Sequence, residues 1–247
     1  MHELRLENPL EKRMWRCCVE ALQTSIASWT RRNARLLEIN CGTGRCLRVL
    51  WDCGFDVTGV SASPEERRAA AADAPCGTEI LAAADDDIPL DDDAYDWVVL
   101  HLGNHDAARA RKAVLEAARI GARGMVVSFW NRASLCRLAH CLSRSWQPMP
   151  CKGLYWWQVL AAARGVSARK YPYGCMPLPH TFGAHGPPGG AGRLLTALVG
   201  AWALLRMDFG PVGRVTPLGL RVDAATALAK EAAVLECRSG SHEPSEG

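Results

Sequence analysis

Glu38, Asn40, Gly42 and Gly44 occupy alternate positions where an apolar run, Arg35 to Ile39, gives way to a helical one, Arg45 to Asp52. A turn of this kind presents backbone N–H groups outward, and glycines without a Cβ let a ligand come close to the chain. Dinucleotide-binding turns use that chemistry, but they want a third glycine three places after the second. That place is Leu47. A carboxylate at Glu38 would also meet a pyrophosphate with like charge, and it suits a cationic ligand instead. Further along, His101 and His105 flank a Gly-Asn turn (HLGNH) after the apolar run Tyr95 to Leu100. Histidine ordinarily titrates near neutrality, so either can act as a general base. No metal site is expected. Cys136, His140 and Cys141 lie close together, but no second ligand pair and no CxxC accompany them,. The Asp triplets 85–87 and 91–93 read as acidic loops in solvent rather than as a cation site.

These groups need a scaffold, and the surrounding pattern supplies one. Met14, Cys17, Cys18, Leu22, Ile26 and Trp29 recur at spacings of three and four and predict an N-terminal helix,. From Arg35 the texture alternates between strand and helix. Strands are predicted at Arg35 to Ile39, Phe55 to Val60, Thr78 to Ala82, Tyr95 to Leu100 and Gly124 to Phe129, with helices at Arg45 to Asp52, from Ser63, and at Asp106 to Ile120. Ser63, Pro64 and Glu66 have the order of an N-cap, a first helical proline and the acid of a capping box. Such alternation predicts a doubly wound, mostly parallel, Rossmann-like α/β sheet with helices on both faces. Past Trp130 the pattern loosens. Helices are expected at Leu135 to Leu142, Tyr155 to Arg164 and Arg193 to Met207, and strands at Ser167 to Tyr173 and Leu220 to Leu228. The Pro/Gly-rich stretch 172–190 should be a loop, and the end of the chain a disordered tail. The expected domains are a helical cap over 1–30, a cofactor-binding core over 31–133, a substrate or cap segment that completes the sheet over 134–236, and the tail over 237–247.

Composition excludes some functions. A net charge of +3 over 247 residues is too weak a bias for a nucleic-acid surface,. The start of the chain is charged, and no run is long and apolar enough to span a membrane, so a cytoplasmic protein is expected. The helix expected at Arg193 to Met207 could rest on a membrane surface, although a packed helix is the preferred reading. Eleven cysteines, an odd number without a paired motif, read as reduced buried thiols,.

The ligand that fits a carboxylate beside a glycine turn is S-adenosylmethionine, which carries an ammonium and a sulfonium and no phosphate. LLEINCGTGRCLRVL, residues 36–50, resembles the first motif of class I S-adenosylmethionine-dependent methyltransferases, an acid followed by G-x-G-x-G. DDIPLDDDAYDWVVL, residues 86–100, resembles the segment that leads into that family's fourth strand. Glu116 to Ile120 is similar to the E-x-x-R-hydrophobic end of the next helix. The resemblance covers roughly residues 30–130,.

It implies methyl transfer to a small molecule. Glu38, Asn40, Gly42 and Gly44 would line the methionine part of the cofactor, Ser61 would sit at its ribose and Asp85 or Asp86 near its adenine. His101 would face the cofactor, and His101 or His105 would be the base. Trp130, Asn131, Trp156 and Trp157 are candidate cavity residues, although core aromatics are the commoner outcome.

Three positions depart from the pattern. Asn40 stands at the first glycine, Ser61 at the acid that grips the ribose hydroxyls, and Ala84 where the adenine acid aligns. RIGARGMVVSFWN, residues 119–131, is similar to MetW-like members of the same superfamily. Together these features support a second reading, a non-catalytic protein of this fold acting through a protein partner.

Overall fold

The apolar runs become strands of one sheet in the computed structural model, which describes residues 9–135, 153–175 and 198–210. In chain order the elements are α1 (Pro9–Ile26), β1 (Arg35–Ile39), α2 (Arg45–Asp52), β2 (Asp56–Val60), α3 (Pro64–Asp73), β3 (Glu79–Leu81), β4 (Tyr95–Leu102), α4 (Ala107–Ile120) and β5 (Gly121–Trp130). They are followed by α5 (Trp156–Ala162), β6 (Arg169–Cys175) and β7 (Trp202–Asp208). The strand order is β3-β2-β1-β4-β5-β7-β6. β1 to β5 run parallel, and β7 is antiparallel to both β5 and β6. The order reverses between β1 and β4. In open α/β sheets that reversal leaves a crevice at the carboxyl ends of the strands, where ligands bind.

Both faces of the sheet are covered. Successive strand residues point to opposite sides, and they divide accordingly. Leu36, Val99, Val126 and Leu204 pack with Leu22 of α1 and Leu47 and Leu50 of α2. Their neighbours Leu37, Val98, Val127 and Leu205 pack with Val114 of α4 and Val159 of α5. A strand buried on two faces has no polar side, which is why these runs read as continuous apolar segments. The expected doubly wound α/β architecture is the one observed.

The loop expected over 172–190 gives up Pro172 to Cys175, which belong to β6, and a second predicted element is wrong. A helix was expected over Arg193 to Met207, but Trp202–Asp208 is a strand in which every residue is buried. Ala, Leu and Met favour helices locally, and an apolar run this short carries no period that separates helix from strand. Burial between β5 and β6 decides the matter. An interfacial membrane helix therefore has no basis over 202–207. Arg206 and Asp208 are the polar residues of β7, and both are buried. Arg206 Nε donates to Asp208 Oδ1 at 2.8 Å, and its Nη1 reaches Ser25 O and Ser28 Oγ, both at 2.7 Å. This clamp ties β7 to the end of α1.

Seven cysteines fall within the described residues and all are free. No helix among the described residues is long and apolar enough to cross a membrane. Most of the expected Leu135 to Leu142 helix, the loop beyond Cys175, the 220–228 strand, the tail and the Cys136–His140–Cys141 group lie outside the described residues.

Candidate cofactor and active site

β1 carries Glu38 on the same face as Leu36, near the strand's carboxyl end, where the residue is fully buried. Its Oε1 accepts from His101 Nε2 at 3.0 Å. Nδ1 of the same ring meets Ser128 Oγ at 2.6 Å. His101 and Ser128 are register partners on β4 and β5, so a Glu38–His101–Ser128 chain crosses the sheet. Both nitrogens of His101 are spent on it, and the ring is 1% exposed. Of the two histidines expected as base candidates, His101 thus has both ring nitrogens engaged by Ser128 and Glu38. Glu38 Oε2, in contrast, is buried with no partner among the described residues.

The turn after β1 has the conformation its glycines suggest. Asn40, Gly42 and Gly44 have φ of 59°, 58° and 82°. At Gly44 an added Cβ would lie 3.1 Å from the Ala70 Cα, so glycine lets α3 close on the turn. Cys41 N–H bonds to Val60 O at 3.1 Å and Gly44 N–H to Cys41 O at 3.0 Å. The N–H groups of Gly42 and Thr43 take no partner from the described residues.

The Asn40 side chain folds toward the β3–β4 loop. Its Nδ2 donates to Asp85 Oδ2 at 2.9 Å and to His101 O at 3.0 Å. Asp85 also pairs with His105 Nε2 and, at 3.3 Å, with Arg109 Nη2. Burial alone would raise the Asp85 carboxyl, but bonds from His105 and Asn40 and the charges of His105 and Arg109 outweigh it. They hold the group well below the usual carboxylate range,. An ionised Asp85 requires the proton of a neutral His105 on Nε2, which leaves the lone pair on Nδ1. That Nδ1 is buried and has no partner among the described residues. Asp86 is half-buried and bonds to nothing among the described residues.

The loop that carries Asp85 is held from α4. Glu116 Oε1 accepts from Ile88 N–H at 3.0 Å, and Arg119 donates to Ile88 O at 3.1 Å and Leu90 O at 2.7 Å. The Arg119 bond holds the Glu116 carboxyl below its ordinary value. At the end of β2, Ser61 is buried and donates to Glu66 Oε2 at 2.7 Å. The candidate cavity aromatics are mostly core: Trp130 and Trp156 are buried, Asn131 bonds to Leu198 O and Gly200 O, and Trp157 is 62% exposed.

Glu38, Cys46 and His101 place donor atoms within 4.8 Å of one another. Burial pushes the Cys46 thiol well above its usual value, which disfavours the thiolate a metal would need. The His101 nitrogens are already used. Within the cluster, Glu38 and His101 are joined by a hydrogen bond.

Residues 37–129 match the family model described as a methyltransferase domain. This segment is thus similar to methyltransferase domains. Solved structures share the fold at low identity. Magnesium protoporphyrin IX methyltransferase of Synechocystis, solved with bound S-adenosylhomocysteine, is 12% identical with a TM-score of 0.58, over 82% of this chain and 88% of that one. A chain from the Haloferax volcanii complex that contains the Trm112 methyltransferase activator is 18% identical with a TM-score of 0.57, over 84% and 93%. An S-adenosylmethionine-dependent methyltransferase of Aquifex aeolicus is 14% identical with a TM-score of 0.55, over 83% and 96%. No curated protein matches the chain in sequence.

The cofactor of class I methyltransferase domains is S-adenosylmethionine, and the residues present fit its amino-acid end. An ammonium needs a buried acceptor, and Glu38 Oε2 is one. A carboxylate needs donors, and the N–H groups of Gly42 and Thr43 are adjacent on the same turn. Reading the sequence missed Arg109, Ser128 and Glu66. Arg109 was legible as the residue three after the N-cap Asp106 and eight after His101, but nothing in its spacing named Asp85 as its partner.

Proposed function

We propose that this domain transfers a methyl group from S-adenosylmethionine to a small molecule, with His105 as the general base. The observation that carries the reading is the buried Glu38 Oε2 at the end of β1, followed by the N–H groups of Gly42 and Thr43, all without partners among the described residues. When bound, S-adenosylmethionine supplies an electrophilic methyl carbon on a sulfonium. Glu38 holds the ammonium, and the turn donates to the carboxylate. His105 Nδ1 accepts the proton of the attacking acceptor atom, while Asp85 fixes the ring and stabilises its charged form, the division of labour seen in carboxylate–histidine pairs. His101 orients Glu38. Catalysis then rests mainly on positioning two reactants in a space from which water is excluded. A cytoplasmic setting, where thiols stay reduced, fits the free cysteines,.

Thermal unfolding with S-adenosylhomocysteine tests the cofactor site. At 100 times its dissociation constant the ligand should stabilise the native state by about 2.7 kcal/mol, and Glu38→Gln should abolish most of the shift. An unchanged midpoint at millimolar ligand would overturn the reading.

A second reading has an observation of its own. Asp85 is closed off by Asn40, His105 and Arg109, so it offers little to an adenine. A non-catalytic protein of this fold, acting with a partner as the Haloferax chain occurs with an activator, would keep that network. It would co-purify with a stoichiometric partner and bind S-adenosylhomocysteine weakly or not at all.

A further inference from the structure

We infer that Glu66, from the first turn of α3, supplies the carboxylate that grips the vicinal ribose hydroxyls of the bound cofactor, in place of an acid at the end of β2. The inference rests on the methyl-donor reading above. It concerns a residue that the family pattern does not use for this purpose.

The position comes first. β1 and β2 are in register, with Ile39 opposite Val60, and Cys41 N–H bonds to Val60 O. Ser61 therefore opens onto the glycine turn, at the carboxyl ends of the strands beside the β1/β4 switch point. A nucleoside whose amino-acid end sat at Glu38 and Gly42 would extend along the strand ends toward Ser61. Serine there brings no charge.

Glu66 restores the charge, and the bonds around it show how it is freed to do so. At the third position of a helix that begins after a Ser N-cap, a glutamate ordinarily turns back to the cap's own N–H. Half of that box forms: Ser63 Oγ accepts from Glu66 N–H at 3.3 Å. The other half does not. Ser63 N–H goes to Ser61 Oγ at 3.3 Å, and the Glu66 carboxylate takes the Ser61 hydroxyl at 2.7 Å. The side chain is thus diverted from the helix end to the end of β2. Arg67, the nearest cation in sequence, forms no ion pair with it among the described residues; its Nη1 donates instead to Ser61 O and Ala62 O at 3.0 and 2.9 Å. These two bonds also hold the loop under the carboxylate.

One oxygen of Glu66 is pinned by Ser61, and Oε1 takes no bond from the described residues. Each carboxylate oxygen accepts twice. The group can therefore accept both hydroxyls of a cis-diol through charge-assisted bonds. Ser61 becomes a positioning residue that aims the carboxylate, its hydroxyl donating to Glu66 while it accepts from Ser63 N–H.

Isothermal titration of the full chain with S-adenosylhomocysteine and with its 2′-deoxy analogue tests this. Glu66→Gln keeps the size and an acceptor for Ser61, so the fold is retained, and it should weaken S-adenosylhomocysteine about tenfold to a hundredfold. For the 2′-deoxy analogue the loss should be much smaller. Ser61→Asp added to Glu66→Gln moves the charge to the strand end and should restore most of the affinity. Equal affinity of Glu66→Gln and the unaltered chain overturns the inference and leaves the methyl-donor reading standing. So does an equal loss for both ligands. If the unaltered chain binds neither ligand, the methyl-donor reading falls and takes this inference with it.

Discussion

The described residues hold two carboxylate–histidine pairs, and they differ in what the second ring nitrogen does. In Glu38–His101 the carboxylate is inside the sheet, and the far nitrogen is tied to Ser128. In Asp85–His105 the pair lies on the loops beyond β3 and β4, and the far nitrogen has no partner among the described residues. The chemistry is the same but the consequences are opposite. A histidine with both nitrogens bonded is a strut, while one with a single bonded nitrogen can move a proton. Which one is which depends on Ser128, a residue on a third strand.

The largest test of that contrast removes the strut. His101→Leu leaves the buried Glu38 carboxyl without its donor and should cost about 3 kcal/mol or more in urea unfolding. A loss under about 1 kcal/mol would mean that the pair contributes no structure. His105→Gln should do the reverse, with stability nearly unchanged but turnover of the acceptor found by screening falling about a hundredfold or more. If the two substitutions gave the same profile, the distinction between strut and base would be lost.

Next in size is the acid limb of stability. The folded Asp85 carboxyl is depressed below its unfolded value, so its contribution is complete above an unfolded pKa of about 3.9 and is lost as pH falls below it,. Asp85→Asn should therefore flatten the stability change between about pH 6 and about pH 3, by on the order of 1 kcal/mol. Urea midpoints across that range would show it. The smallest effect belongs to Asn40→Gly. It relieves a left-handed asparagine but deletes the bonds to Asp85 and His101 O. The net change should stay within about 1 kcal/mol, while His105 loses a support for its carboxylate and turnover drops a few-fold.

The sequence carries the sheet well because each central strand is apolar on both faces and each is closed by a turn or cap of recognisable chemistry. Glu38, Gly42 and Gly44 were legible for the same reason, as a local motif whose conformation is set within a few residues. β7 was not, since WALLRMD is made of good helix formers and only its insertion between β5 and β6 makes it a strand. Side-chain partners were the least legible. Glu66 looks like half of a capping box until Ser61 claims its carboxylate, and His101 looks like a base until Ser128 and Glu38 claim its nitrogens. Those partners lie 5, 27 and 63 residues away in sequence, and no local pattern encodes them.

The placement of β7 also sets an order of events during synthesis. It is the last described strand to leave the ribosome, yet it belongs inside the sheet, with β6 outside it. Among the described strands, β6 therefore has no partner until residues 202–208 have emerged. α1, which precedes the described strands, waits equally long for Arg206 to reach Ser25 and Ser28. The nascent chain must hold α1 and β6 open for a strand that arrives late, and pairings so distant in sequence are slow to form.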